Sequence, residues 1–177
     1  SGVTLEVNQG TVQDGYGNVD TFSSIEVFGG TSYNDILLGS DTDDTIPQWY
    51  NALNLNHDNY EIFQPGDGID TIDGRGGFDE ISYTNSPTGM MIDLSQSTVT
   101  DGWGNVDTIS SIEGVEGTQH DDTITGTAGN NSLDGRFGNN LIDGGDGFDY
   151  VEYNGGGRTN VVADLSTKTV TFGKNSL

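Results

Sequence analysis

Apolar residues in this chain recur every nine positions, each set between small or polar neighbours. Consecutive units read GTQHDDTIT from Gly117, GTAGNNSLD from Gly126, GRFGNNLID from Gly135 and GGDGFDYVE from Gly144. An earlier set reads GTSYNDILL from Gly30, GSDTDDTIP from Gly39, PGDGIDTID from Pro65 and GRGGFDEIS from Gly74. The eighth residue of every unit is aliphatic: Leu37, Ile46, Ile72, Ile81, Ile124, Leu133, Ile142 and Val151. The spacing extends backwards through Val115 and Val106, and in the earlier set through Phe28 and Val19. Such a pattern predicts three-residue strands with one inward side chain, separated by six-residue turns whose glycines permit positive φ. A unit of this kind cannot bury a face by itself, so the units must stack as a solenoid.

The sixth residue is as strict as the eighth, and it is always Asp or Asn: Asp35, Asp44, Asp70, Asp79, Asp122, Asn131, Asn140 and Asp149. A flexible glycine-rich linker needs no such register. A longer repeat encloses the short one, because DGYGNVDTFSSIE (Asp14 to Glu26) returns 87 residues later as DGWGNVDTISSIE (Asp101 to Glu113). The strand-like GVTLEV from Gly2 returns as GMMIDL from Gly89, and again as NVVADL from Asn160, after which Phe172 and Lys174 break the likeness. The expected organisation is a first block at 1–87 with a loop insertion at 48–64, a second block at 88–158, and at 159–177 the start of a truncated third. A chain that opens inside a strand-like stretch and closes on TFGKNSL is expected to be a piece of a larger protein.

Charge changes this picture from a fold to a fold with a partner. Twenty-eight acidic residues against five basic ones give a formal net charge of −23, with only 31% hydrophobic residues. That sign repels nucleic acid and anionic membrane surfaces, and no apolar run is long enough to span a membrane. No signal-peptide pattern opens the sequence. The absence of cysteine excludes a disulfide framework and thiolate metal sites. Self-repulsion and a thin core predict an expanded chain until cations neutralise it.

The units resemble the nonapeptide G-G-x-G-x-D-x-U-x of the RTX, or haemolysin-type, calcium-binding repeat, and GGDGFDYVE matches it at every specified position. The resemblance implies an all-β, right-handed parallel β-roll in which the sixth residues of units 18 apart share a calcium ion. Carried over, Asp122 pairs with Asn140 and Asn131 with Asp149. With the insertion looped out, Asp35 pairs with Asp70 and Asp44 with Asp79. Backbone carbonyls near Gly30, Gly39, Gly66, Gly68, Gly74, Gly77, Gly117, Gly126, Gly129, Gly135, Gly138, Gly144 and Gly147 complete the shells. Calcium is a hard cation that accepts carboxylates and carbonyls in flexible geometry, whereas magnesium demands a stricter octahedron. About four ions would bring −23 to about −15. Asn131 and Asn140 lend oxygen but no charge, so the second block is expected to bind more weakly. Tyr33, Thr42 and His120 replace the fourth-position glycine, and Pro65 the first. The resemblance also implies a structural part of a secreted or bacterial cell-surface protein, exported unfolded by type I secretion machinery and folding on extracellular calcium.

Other features are less specific. Asp14, Asn18 and Asp20, and their counterparts Asp101, Asn105 and Asp107, are candidates for an additional ion, although their order differs from an EF-hand loop and a hydrogen-bonded turn is the plainer reading. Trp49, Tyr50, Tyr60 and Phe63 of the insertion form either a small satellite core or a glycan- or partner-binding surface, which keeps an adhesive module as an alternative. No nucleophile motif accompanies His57 or His120, the two histidines, so a catalytic role is not expected. A non-catalytic accessory region of a secreted hydrolase, lyase or epimerase is the remaining alternative.

Overall fold

The computed structural model describes residues 1–41 and 60–152, together with the backbone of two further strands at 161–164 and 169–172. The described strands are β1 (Thr4–Glu6), β2 (Thr11–Gln13), β3 (Val19–Thr21), β4 (Val27–Gly29), β5 (Ile36–Leu38) and β6 (Tyr60–Gln64). Next come β7 (Thr71–Asp73), β8 (Phe78–Ser82), β9 (Met91–Asp93), β10 (Thr98–Thr100), β11 (Val106–Ser110) and β12 (Gly114–Glu116). The series closes with β13 (Thr123–Thr125), β14 (Ser132–Asp134), β15 (Leu141–Asp143), β16 (Tyr150–Glu152), β17 (Val161–Asp164) and β18 (Thr169–Phe172). Most are three residues long, as one inward residue per nine requires.

Successive strands alternate between two sheets, the arrangement of a parallel β-roll. One sheet runs β15-β13-β9-β10-β11-β7-β5-β1-β2-β3 and the other β16-β14-β12-β8-β6-β4, while β17 and β18 pair antiparallel with each other. The nonapeptide strands pair in parallel with their eighth residues in register: Leu37 with Ile72, Ile124 with Ile142, and Leu133 with Val151. Two antiparallel meanders interrupt this order, β1-β2-β3 and β9-β10-β11, and they are the two copies of the longer repeat. The second meander is built into the stack, with β11 on β7 and β9 on β13, so strands from both sequence blocks share both sheets.

Inward residues of the two sheets meet in one core that includes Leu37, Phe63, Ile72, Ile81, Ile92, Ile109, Val115, Ile124 and Leu133. Burying each such side chain contributes about 1.5–3 kcal/mol, and one per strand gives a long but thin core. The backward extension of the nine-residue pattern holds for Phe28 and Val115, which are buried, but fails for Val19 and Val106, which are 59% and 50% exposed. The inward residue of β11 is Ile109, and the turn from there to Val115 is shorter because Ser111 takes a left-handed conformation at φ 52°.

The insertion also enters the chain differently from the sequence reading. Strand β6, expected inside the 48–64 insertion, lies in the roll between β4 and β8, with Phe63 fully buried against Phe28 and in register with Ile81. Gly39 still stacks on the 74–76 turn, donating to the Asp73 carbonyl, and the Gly76 amide donates to the Ser40 carbonyl. On β6, Glu61 stands beside Asp79 and Phe63 beside Ile81. Asp44, Trp49 and Tyr50 lie outside the described residues.

Candidate metal-binding turns

The sixth residues line the inner edge of the turns, and most of their side chains reach back to the amide at the equivalent position of the strand stacked before. In the larger sheet the Val3 amide donates to Asp35 at 2.7 Å, the Asp35 amide to Asp70 at 2.7 Å, and the Asp70 amide to Asp107 at 2.9 Å. Further along, the Met90 amide donates to Asp122 and the Asp122 amide to Asn140, both at 2.9 Å. In the other sheet the Asp79 amide donates to Glu113 at 3.1 Å and the Asn131 amide to Asp149 at 3.0 Å. The pairs Asp35 with Asp70, Asp122 with Asn140, and Asn131 with Asp149 are thus stacking neighbours. Asp79 faces Glu61 on one side and approaches Glu113 on the other.

Within these stacks the turns fall into two conformations. At 65–70, 74–79, 135–140 and 144–149 the second and fourth residues have positive φ: Gly66 and Gly68, Arg75 and Gly77, Arg136 and Gly138, Gly145 and Gly147. At 30–35, 117–122 and 126–131 neither position does, and the second residue is Thr. There the threonine closes the turn. Thr31 donates amide and hydroxyl hydrogens to Asp35, Thr118 does so to Asp122, and Thr127 to Asn131. Each stacked pair that is fully described joins one threonine-closed turn to one left-handed turn.

The left-handed turns differ in what their sixth residue lacks. Asp70 Oδ2 and both carboxylate oxygens of Asp79 are buried with no hydrogen-bond donor. A carboxylate oxygen in that state costs several kcal/mol unless a cation neutralises it. Burial raises the Asp70 pKa to about 7, with the charges of Asp107, Asp35 and Asp101 adding to the rise against the hydrogen bond from Asp35. It raises Asp107 to about 6 despite the hydrogen bonds from Asp70 and Tyr83, the latter at 2.7 Å. Asp79 is raised further, by burial first and then by Glu61.

Asn140 is filled in another way. Its amide nitrogen donates to the Gly135 carbonyl at 2.6 Å and the Phe137 carbonyl at 2.9 Å, so an N–H group lies where a cation would draw the same oxygens. Asn140→Asp removes both bonds, at a cost of about 2 kcal/mol, and adds a charge in their place. The variant is expected to bind one calcium ion more than the unaltered chain, by equilibrium dialysis, and to melt several degrees lower without calcium.

Glycine is required where stacked turns touch. A Cβ on Gly74 would stand 2.5 Å from Asp79 Oδ2 and overlap the Ser111 carbonyl oxygen, and one on Gly30 would stand 2.6 Å from Asp35 Oδ2 and overlap the Pro65 carbonyl oxygen. A carbonyl and a carboxylate oxygen converge at each place. Among the described residues no three acidic or histidine side chains converge on one point. A bound ion therefore takes at most two side chains and completes its shell with carbonyls or water. Buried, donorless carboxylate oxygens beside backbone carbonyls suit a hard cation of flexible coordination, and they fit calcium.

The other candidates are placed apart from these turns. Asp14 accepts from the Tyr16 and Asn18 amides and the Asn18 side chain, which lowers its pKa, and Asp101 accepts from the equivalent Trp103 and Asn105 groups. Both stretches form hydrogen-bonded turns of the same design. Asp20 is exposed on β3, whereas Asp107 belongs to the buried column under Asp70. Tyr60 begins β6 opposite Phe78. Glu61 and Glu113 were missed as sixth-position acids. Their signal was an acid two residues before an inward Phe63 or Val115, outside any recognisable nonapeptide.

A profile of the RTX calcium-binding nonapeptide repeat matches the chain in four copies, over residues 29–46, 65–82 and 116–151. No curated protein matches the sequence. The matched residues are the stacked turns whose carboxylates and carbonyls suit calcium, and the chain carries RTX calcium-binding nonapeptide repeats.

Proposed function

We propose that this chain is a β-roll module that folds as it binds extracellular calcium, serving as a structural, non-catalytic part of a larger secreted or surface protein. The observation that carries this reading is the set of buried carboxylate oxygens without donors at Asp70 and Asp79. Asp70, Asp79 and Asp149, with carbonyls of the adjoining turns, would hold the ions, and bound calcium would supply the positive charge that the chain's few basic side chains do not. The two bases of the described residues are engaged elsewhere: Arg75 pairs with Glu6 at 2.6 Å and Arg136 with Glu116. Low calcium inside a cell would leave the chain expanded and fit for passage through a type I secretion channel, and higher calcium outside would close the roll. Among the described residues no helix is long and apolar enough to cross a membrane.

Isothermal titration tests the reading. Calcium is expected to bind at several sites with a large ordering enthalpy, and magnesium at the same concentration to give little heat. A chain that takes up no calcium refutes it.

A further inference from the structure

Glu61 and Asp79 occupy equivalent places on neighbouring strands. They are Cα partners in the parallel pair β6 and β8, and each precedes by two an inward core residue, Phe63 or Ile81. Side chains two apart on a strand share a face, so both carboxylates point inward from the same edge. Glu61 is 4% exposed and Asp79 0%. Glu61 Oε2, Asp79 Oδ1 and Asp79 Oδ2 are buried and accept no hydrogen bond from any group outside the pair.

What could neutralise the pair is engaged elsewhere. The Asp79 amide donates away from it, to Glu113 Oε2. Arg75, on the same turn, donates to Glu6 and to the Gly39 carbonyl oxygen. Threonine closes the turns of Asp35, Asp122 and Asn131, but the turn of Asp79 has Arg75 in that place, and the sequence from 48 to 59 that leads into β6 contains no glycine. Two facing carboxylates in low dielectric repel strongly unless a cation sits between them.

We propose that Glu61 and Asp79 together hold one divalent cation, calcium by the all-oxygen donor set, at the join between insertion and roll. Two carboxylates supply up to four of the about six to eight oxygens that calcium takes. The Ser111 carbonyl, packed against Gly74 beside Asp79 Oδ2, is a further donor at hand. This rests on the calcium reading of the nonapeptides and adds a ligand that no nonapeptide contains. It also makes β6 part of an ion site.

The test is the number of calcium ions bound by the whole chain, by native mass spectrometry and equilibrium dialysis. Glu61→Gln keeps the shape and removes the charge, and it is expected to lose one ion. Asp79→Asn is expected to lose the same ion, and the double variant no more than either. Glu61→Asp, which keeps the charge on a shorter side chain, should retain the count but weaken one site at least tenfold. A Glu61→Gln chain with the full count, or a Glu61→Asp chain with unchanged affinity, overturns the proposal and leaves the pair sharing a proton. An unaltered chain that binds no calcium would instead remove the family-level reading on which it rests.

Discussion

A calcium-loaded sample treated with excess chelator at pH 7.5 is expected to lose its cooperative thermal transition and most of its β-sheet circular dichroism, and to regain both when calcium is restored. A domain of this size has a net stability of about 5–15 kcal/mol, and the core here contributes one apolar side chain per short strand. Against it stand Asp70, Asp79 and Glu61, whose buried oxygens find no donor from the rest of the chain, a state that costs several kcal/mol. Net charge of −23 adds self-repulsion that the compact state concentrates. Calcium reverses both effects, and each site filled at a hundred times its Kd adds about 2.7 kcal/mol. Two such sites already match the lower end of the stability range. The threonine-closed turns, which need no ion, are expected to retain residual local structure at most. An unchanged melting temperature after thorough chelation would show that calcium is incidental to the fold.

The stacking of this roll was legible because two positions in nine carry separate physical demands. The eighth must be apolar to fill the core, and the sixth must accept hydrogen bonds from the amide stacked before it. Both demands leave a mark in residue type, so Leu37, Ile72 and Ile124 and the acids before them were found. Where a demand leaves no such mark, the reading missed it. Val106 and Ile109 are both apolar, and only the tight turn at Ser111 decides which faces inward. Glu61 and Phe63 fulfil the same two roles without any glycine before them, so they read as insertion and not as roll. The difference between threonine-closed and left-handed turns rests on φ at the second residue. Arg75 and Arg136 take it as glycine does, which residue identity does not announce.

Protons and calcium should compete for the same oxygens, and the sign of the effect reverses with the ion. Without calcium, Asp70 and Asp107 titrate in the fold near 7 and 6, above the ordinary aspartate value of 3.8, and Asp79 is raised as well. A group with a raised pKa in the fold binds its proton more tightly there than in the unfolded chain. Its contribution to stability is therefore complete below pH 3.8 and is lost as pH rises through about 6 for Asp107 and about 7 for Asp70. The chelated chain is expected to be more ordered at pH 5 than at pH 8, with the steepest loss from these two groups between about pH 4 and 6 and a smaller one up to about 7. With saturating calcium the dependence inverts, because protonation at pH 5 removes ligands that the ion needs. Asp70→Asn separates this from general charge repulsion: it should flatten the chelated profile around pH 7 while Asp107 still sets the fall near pH 6. Melting curves by circular dichroism at half-unit intervals of pH, with chelator and with calcium, read both arms. A chelated profile that rises with pH, or one that Asp70→Asn leaves unmoved, would mean that the buried carboxylate is not what calcium satisfies.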